Sequence, residues 1–423
     1  MRLYKMELYK LCHSKSFAAG FLFVLFIGWF FFYEDVQLQR CVINGVEYTG
    51  FQAIQANRQI TEEFQGILTD DVVEQIIEKY GFPDGSPDGY NRLNGNFLNT
   101  FVMDYASDGY NNGSDDYRIA TKTIPLADTD LGRSCAAAGR EITLGYYDGW
   151  KAMLEEYGVL MLGVSMLILY IVSVVFSEEE QTGMKPLLFT TKKGPGEDTL
   201  AKLAAAFSVS VSVWLLAVGF YLLLYCITYG TGGLSCLSML LTYWRQSVDV
   251  PLLQQSVGAY VAEILLVTLL AVLELCAITS WVSARCHSSF HAVVAAGICY
   301  VLPFLGFMLS QFGWALLVKY SVNHTGGLQF NGFTFTGLPS RFSIKQLPGF
   351  ILLKAGPCLL FLFRDLVYSS PVYLLLEKDV LVEICRISGS GMWHVSISLT
   401  IAFLMFLLCT AGAWRRYRRQ QNL

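Results

Sequence analysis

Residues 176–203 read FSEEEQTGMKPLLFTTKKGPGEDTLAKL. Three consecutive glutamates, a glycine, a Lys-Lys pair and a Gly-Pro-Gly break lie here between two strongly apolar runs, Tyr157–Phe176 and Leu203–Tyr229. Runs of about 20 apolar residues are what a spanning helix requires. The charged stretch therefore reads as a polar connection between two membrane spans. Working outward, four further runs have the same character: Phe17–Tyr33, Val257–Trp281, Phe290–Gln311 and His394–Ala413. Mean hydropathy is +0.44 and only 15% of residues are charged, against about 25% in soluble domains. The expected fold class is an all-α integral membrane protein with six transmembrane helices.

The first run follows a basic segment, as a signal peptide's apolar core would. It is long and aromatic (WFFFY) and is followed by EDVQLQR, with no small-residue cleavage site, so it reads as an uncleaved anchor. Arg2, Lys5, Lys10 and Lys15 precede it, and Arg415, Arg416, Arg418 and Arg419 follow the last run. Basic flanks mark the cytoplasmic side, and six spans put both ends there. Residues 1–16 then form a cytoplasmic amphipathic segment, 177–202 a cytoplasmic loop and 414–423 a basic cytoplasmic tail.

Glu34–Glu156 is expected outside as a large, mostly helical extracytoplasmic domain between spans one and two. It holds 21 Asp and Glu against 9 Lys and Arg, more negative than the whole chain's −4. LTDDVVEQIIEKYG contains a helix signal: Thr69 as N-cap, two aspartates in the first turn, apolar Val72, Val73, Ile76 and Ile77, and Gly81 as a stop. Its turns lack the spacing of a calcium loop. Cys41 and Cys135 share this segment, and a disulfide between them is left open. Residues 314–393 read as a smaller outer region, in which FILLKAGPCLLFLF (Phe350–Phe363) is too short and too interrupted to span and is expected to re-enter.

The chain has no phosphate-binding G-x-x-x-x-G-K-[ST] loop, no G-x-S-x-G elbow, no H-E-x-x-H helix and no C-x-x-C pair. No catalytic, cofactor or metal set stands out, and CHSSFH reads as an interfacial turn. Two carboxylates, Glu263 and Glu274, fall within the fourth apolar run. An acid at mid-bilayer is costly and is a functional candidate by default. A polar path and a hydrogen-bonded helix contact are equally open readings.

The order of features in residues 176–203 resembles the inner loop of permeases of the type-2 ATP-binding-cassette exporter family. Glu179 and Gly183, then Leu187-Leu188-x-Thr190-Thr191, then Lys192-Lys193-Gly194 carry the likeness. The resemblance implies that Glu179, Gly183, Leu187, Leu188, Thr190 and Thr191 couple to a cytosolic ATPase subunit, which binds ATP and Mg. It also implies pairing with a second permease, the same or a sister chain, in a bacterial plasma membrane. The exported substrate would be a peptide, a lipid-like or a drug-like molecule, with no nucleic acid involved. An ATPase-linked sensor that moves no substrate is the alternative, and an intramembrane enzyme is disfavoured because no reactive constellation is visible.

Overall fold

The computed structural model describes residues 2–83, 95–111, 117–118, 120–184, 194–241, 251–325, 365–376, 382 and 392–419. The chain begins with α1 (Arg2–Cys12) and α2 (Lys15–Leu38). They are separated at His13-Ser14, where the Ser14 hydroxyl accepts from Phe17 N at 3.0 Å and caps the second helix. A hairpin follows, β1 (Arg40–Ile43) and β2 (Val46–Thr49), with Arg40 opposite Thr49 and Ile43 opposite Val46. Its two-residue turn, Asn44-Gly45, has positive φ at both positions (51° and 78°), which is the geometry that Asn-Gly favours.

Next come α3 (Gly50–Phe64), β3 (Gly66–Ile67), α4 (Asp70–Tyr80) and α5 (Phe97–Tyr105). The helix foreseen at Thr69 is α4: the Thr69 side chain accepts from Val72 N, and Gly81, at φ 67°, returns its N–H to Ile77 O. Helix α5 starts with a reciprocal exchange in which Asn96 and Asn99 each accept the other's backbone N–H. Then follow β4 (Tyr110–Asn111), β5 (Tyr117–Arg118), α6 (Asp130–Ala138) and β6 (Thr143–Leu144). The strands pair antiparallel, β3 with β6 and β4 with β5. The Asp108 carboxylate ties this part together, accepting from Thr121 N, Lys122 N and the Thr121 hydroxyl. Those bonds hold its carboxyl well below the usual range.

The remaining long helices are α7 (Asp148–Gln181), α8 (Thr199–Tyr229), α9 (Val257–Ser283) and α10 (Ser289–Thr325). After the short α11 (Pro371–Leu376), α12 (Met392–Arg419) closes the described chain. Helices α2, α7, α8, α9, α10 and α12 each contain a stretch long and apolar enough to cross a membrane. The chain is an integral, multi-pass membrane protein.

Several helices outrun the apolar runs that announce them. Helix α10 has 37 residues, about 55 Å at 1.5 Å per residue, against a hydrocarbon core of about 30 Å. The region expected to begin at Trp314 therefore starts as its continuation, because neither Gly nor Pro occurs between Trp314 and Gly326-Gly327. The Phe350–Phe363 segment lies outside the described residues. Helix α12 likewise runs through WRRYRR, so most of the expected tail is helix.

The chain divides into two compact units. One comprises Met1–Phe21, Met161–Trp214 and Leu266–Leu423. There the Tyr4 hydroxyl donates to Ser208 Oγ at 2.9 Å, and the rings of Phe207 and Phe406 meet edge to face. Ser283 of α9 donates to Ser173 O at 2.6 Å and accepts from Phe176 N and Ser177 N, pinning α9 to α7. The other unit comprises Leu22–Leu160 and Leu215–Leu265. Its α3 packs on the hairpin and on α5, and Asn57 of α3 accepts from Phe97 N.

Residues 34–156 thus do not stand as a domain of their own. They form a mixed region of helices and short ladders, joined in one unit with residues 215–265. The reason is the connection after α8. Cys236 Sγ contacts Gly145 O at 3.8 Å, and the Thr143 hydroxyl donates to Ser235 O. The turn Pro251–Gln254 packs on α6.

Gly149 shows how closely α7 and α8 approach in this unit. A Cβ there would lie 2.3 Å from Tyr229 Cβ. Overpacking of this kind costs about 1–3 kcal/mol, so Gly149→Ala should lower the thermal midpoint of the detergent-solubilised protein. Gly219→Ala, where a Cβ meets nothing within 4 Å, should leave it unchanged or raise it. Equal midpoints for the two variants would contradict this packing.

Candidate functional site

The three glutamates that open the polar connection occupy the last turn of α7. That is an unfavourable place for anions, because the exposed carbonyls of a helix C-terminus carry partial negative charge. Each glutamate has its own cationic or imidazole partner, from a different part of the chain. Glu178 pairs with Lys10 of α1 at 2.9 Å, Glu179 with Lys202 of α8 at 2.7 Å, and Glu180 with His287 of the α9–α10 turn at 3.1 Å. Consecutive helical residues project about 100° apart, so one short run addresses three neighbours. Gln181 adds a fourth contact by accepting from Ser289 N at the start of α10.

The middle pair is the buried one. Lys202 is fully buried, Glu179 is 7% exposed and Asp198 4%. The Lys202 ammonium bonds Asp198, four residues earlier and immediately before α8, and lies 3.7 Å from Glu7 of α1. Asp198 sits at the N-terminus of α8, where an acid complements the helix dipole. From α12, the Tyr417 hydroxyl donates to Glu179 Oε2 at 2.5 Å, while the Tyr417 ring packs on Phe176. Burial pushes the Glu7 carboxyl up, with Lys202 and Lys10 pulling the other way.

Carboxylate oxygens of Glu7, Glu179 and Asp198 lie within 4.8 Å of one another, the spacing of a cation site. The Lys202 ammonium already occupies the middle of that group and supplies the positive charge. The arrangement is an internal ion cluster that locks α1, α7, α8 and α12 together, and it offers no open position for a reacting group.

The helix ends immediately after this cluster. Gly183, at φ 67°, donates to Glu180 O at 3.2 Å, and Met184 N donates to Glu179 O at 3.0 Å. These two bonds satisfy the last carbonyls of α7 in a Schellman cap. Gly183 is therefore a helix stop. The coupling loop, expected over 177–202, is helical as far as Gln181 and again from Gly194, where a π-helical turn, Gly194–Asp198, leads into α8. Leu187, Leu188, Thr190 and Thr191 lie outside the described residues.

The other candidate residues are placed separately. Glu274 is 2% exposed, inside the unit that holds the ion cluster, and its Oε2 has no hydrogen-bond partner among the described residues. Glu263 belongs to the other unit and accepts from Gln255 Nε2 at 2.8 Å. Cys41, on β1, and Cys135, on α6, are both free and buried, so the disulfide left open from the sequence is not formed here. Burial pushes the Cys41 thiol up to about 12 and raises Cys135 as well.

Sequence reasoning missed Lys202, Asp198 and Glu7. A usable signal was present, since Asp198 and Lys202 are spaced i,i+4 at the mouth of an apolar helix, where a lysine is unfavourable without a partner. No protein-family model matches the chain, and no curated protein and no solved structure is similar to it.

Removing the buried cation would leave carboxylates clustered without compensation, which costs about 3–5 kcal/mol. Lys202→Met should accordingly lower folded yield and thermal midpoint. Adding Asp198→Asn and Glu179→Gln to that variant should recover much of the loss. If Lys202→Met alone matches the wild type in thermal unfolding, the cluster does not hold these helices.

Proposed function

We propose that the chain is the membrane-spanning subunit of an ATP-binding-cassette exporter, driven by ATP hydrolysed on a separate cytosolic ATPase. Four features support the reading: six candidate spans, the absence of a phosphate-binding loop, the motif order of residues 176–203, and above all the construction around that stretch. The observation that carries it is the ion cluster. A polar connection serving only as a tether needs no buried anchoring, whereas one that receives force needs both its ends fixed to the helices it moves. Glu179 closes α7 and Asp198–Lys202 opens α8, and one buried ammonium binds both ends.

In this reading both termini and residues 185–193 face the cytoplasm, the mixed region after α2 lies outside, and Leu187, Leu188, Thr190 and Thr191 present the docking surface. ATPase closure would push on that surface and the cluster would pass the displacement to α1, α7, α8 and α12 as a body. Glu274, buried in the same unit, is the candidate for a polar group along the path. A second permease of the same or a sister kind completes the transporter.

The alternative, an ATPase-linked sensor that moves no substrate, is favoured by one observation. An open cleft on the mixed region is lined by Glu63, Phe64, Gln65, Ile67, Val72, Gln75, Glu78 and Lys79, as a receptor surface would be.

Co-purification with the cognate ATPase at matched expression tests the proposal. Leu188→Asp would place a charge in the docking contact, where an unpaired buried charge is expensive. Gly183→Pro would demand φ near −65° where the backbone holds +67° and would delete the cap's N–H. Both variants should insert normally and lose ATPase binding at least tenfold. Wild-type ATPase recovery and transport with Leu188→Asp would overturn the assignment.

A further inference from the structure

Helices α9 and α12 come together near their ends in the unit that holds the ion cluster, and two arginines lie there that pair with no acid among the described residues. The Arg285 guanidinium lies over the Trp281 ring, 3.7 Å from its centroid, and Nη1 donates to Trp281 O at 2.9 Å. This stacking fixes the planar fork and leaves its other donors open. Gly412 of α12 lies against the edge of the same indole: a Cβ there would be 2.6 Å from Trp281 Cδ1 and 2.7 Å from Nε1. One helical turn on, Arg416 shares the Gly412 face of α12, so the indole that carries Arg285 on its face and Gly412 at its edge brings both arginines to the same end of the unit. Partial burial and this neighbour both push the Arg285 guanidinium down.

Neither arginine forms an ion pair among the described residues, although Glu178 and Glu179 in this unit each pair with a lysine and Glu180 with His287. Both side chains are exposed. Two like charges brought together by a glycine contact and held by an aromatic stack make a place that favours an anion. Their depth narrows the choice. Trp281 lies at the end of an apolar helix and Trp414 lies beside Arg415 and Arg416, the level at which tryptophans mark the membrane–water boundary. A phosphate at that level belongs to a lipid headgroup.

We propose that Arg285 and Arg416, with Trp281 as the platform, form a binding site for the phosphate of an anionic phospholipid. The two forks present donors in the planar geometry that phosphate oxygens accept, and the net charge favours a headgroup without its own ammonium. The exposed apolar flank of α12, including Leu404 and Leu408, offers the acyl chains a surface along the same helix. The site stands on the membrane-spanning character of the chain and not on its proposed transport role.

The test is retention of lipid by the full-length protein, reconstituted in vesicles of equal phosphatidylcholine and phosphatidylglycerol, extracted in mild detergent and weighed by native mass spectrometry. The wild type should retain phosphatidylglycerol preferentially. At ~1 kcal/mol per basic residue near an anionic surface, each of Arg285→Gln and Arg416→Gln should weaken that preference roughly 5-fold, and the double variant roughly 30-fold. Arg285→Lys should lose part of it, because the charge stays and the fork goes. Arg415→Gln, the same charge change on a neighbouring residue, should lose clearly less. Equal losses for Arg415→Gln and Arg416→Gln would overturn the site in favour of diffuse surface charge. Displacement of the lipid by millimolar inorganic phosphate would overturn it in favour of a free anion. An unchanged double variant would overturn it outright.

Discussion

One buried ammonium group organises the end of the protein where its motif-bearing connection begins. Lys202 is fully enclosed, and a lysine without partners in such a place would be prohibitive. It persists because Glu7, Glu179 and Asp198 converge on it and Tyr417 takes up a remaining lone pair of Glu179. The partners come from an N-terminal helix, the end of α7, the start of α8 and the C-terminal helix, so the charge is satisfied only when all four are in place. The Schellman cap at Gly183 and the serine staple at Ser283 then fix the direction in which the chain leaves.

The same logic explains the run of glutamates. In an isolated helix, three acids in the last turn oppose the dipole. Here the cost is offset by recruiting Lys10, Lys202 and His287 from three separate segments. A run that looks like a solvated charge patch is thus a three-way junction. In that respect it differs from Arg285 and Arg416 at the ends of α9 and α12, which form no ion pair among the described residues.

Much of the fold was legible. The apolar runs located all six long helices, since spanning length and the absence of charge are local properties of sequence. Thr69 and Gly81 bounded α4 because their caps are local too. The capping box of α5 was missed because Asn96 and Asn99 perform with two amides what is usually sought as Ser or Thr followed by Glu or Gln. Helix ends were misjudged for a different reason: hydropathy marks where lipid stops and not where hydrogen bonding stops, so α10 and α12 continue past their apolar cores. The site was legible only in half. Glu179 and Gly183 carried a recognisable order, whereas Lys202, Glu7 and Tyr417 are meaningful only as a constellation, and no local pattern joins residues so far apart in the chain. Glu274 was marked by its burial cost alone, and its enclosed position accords with that argument.

The central claim is that the ion cluster makes the ends of α1, α7, α8 and α12 respond as one body. Hydrogen–deuterium exchange on the wild type and Lys202→Met, at a temperature where both remain folded, addresses it directly. The account predicts faster exchange in Lys202→Met that rises together in residues 3–12, 176–183, 199–206 and 413–419. Acceleration confined to the first turn of α8, with the other three segments at their wild-type rates, would contradict it.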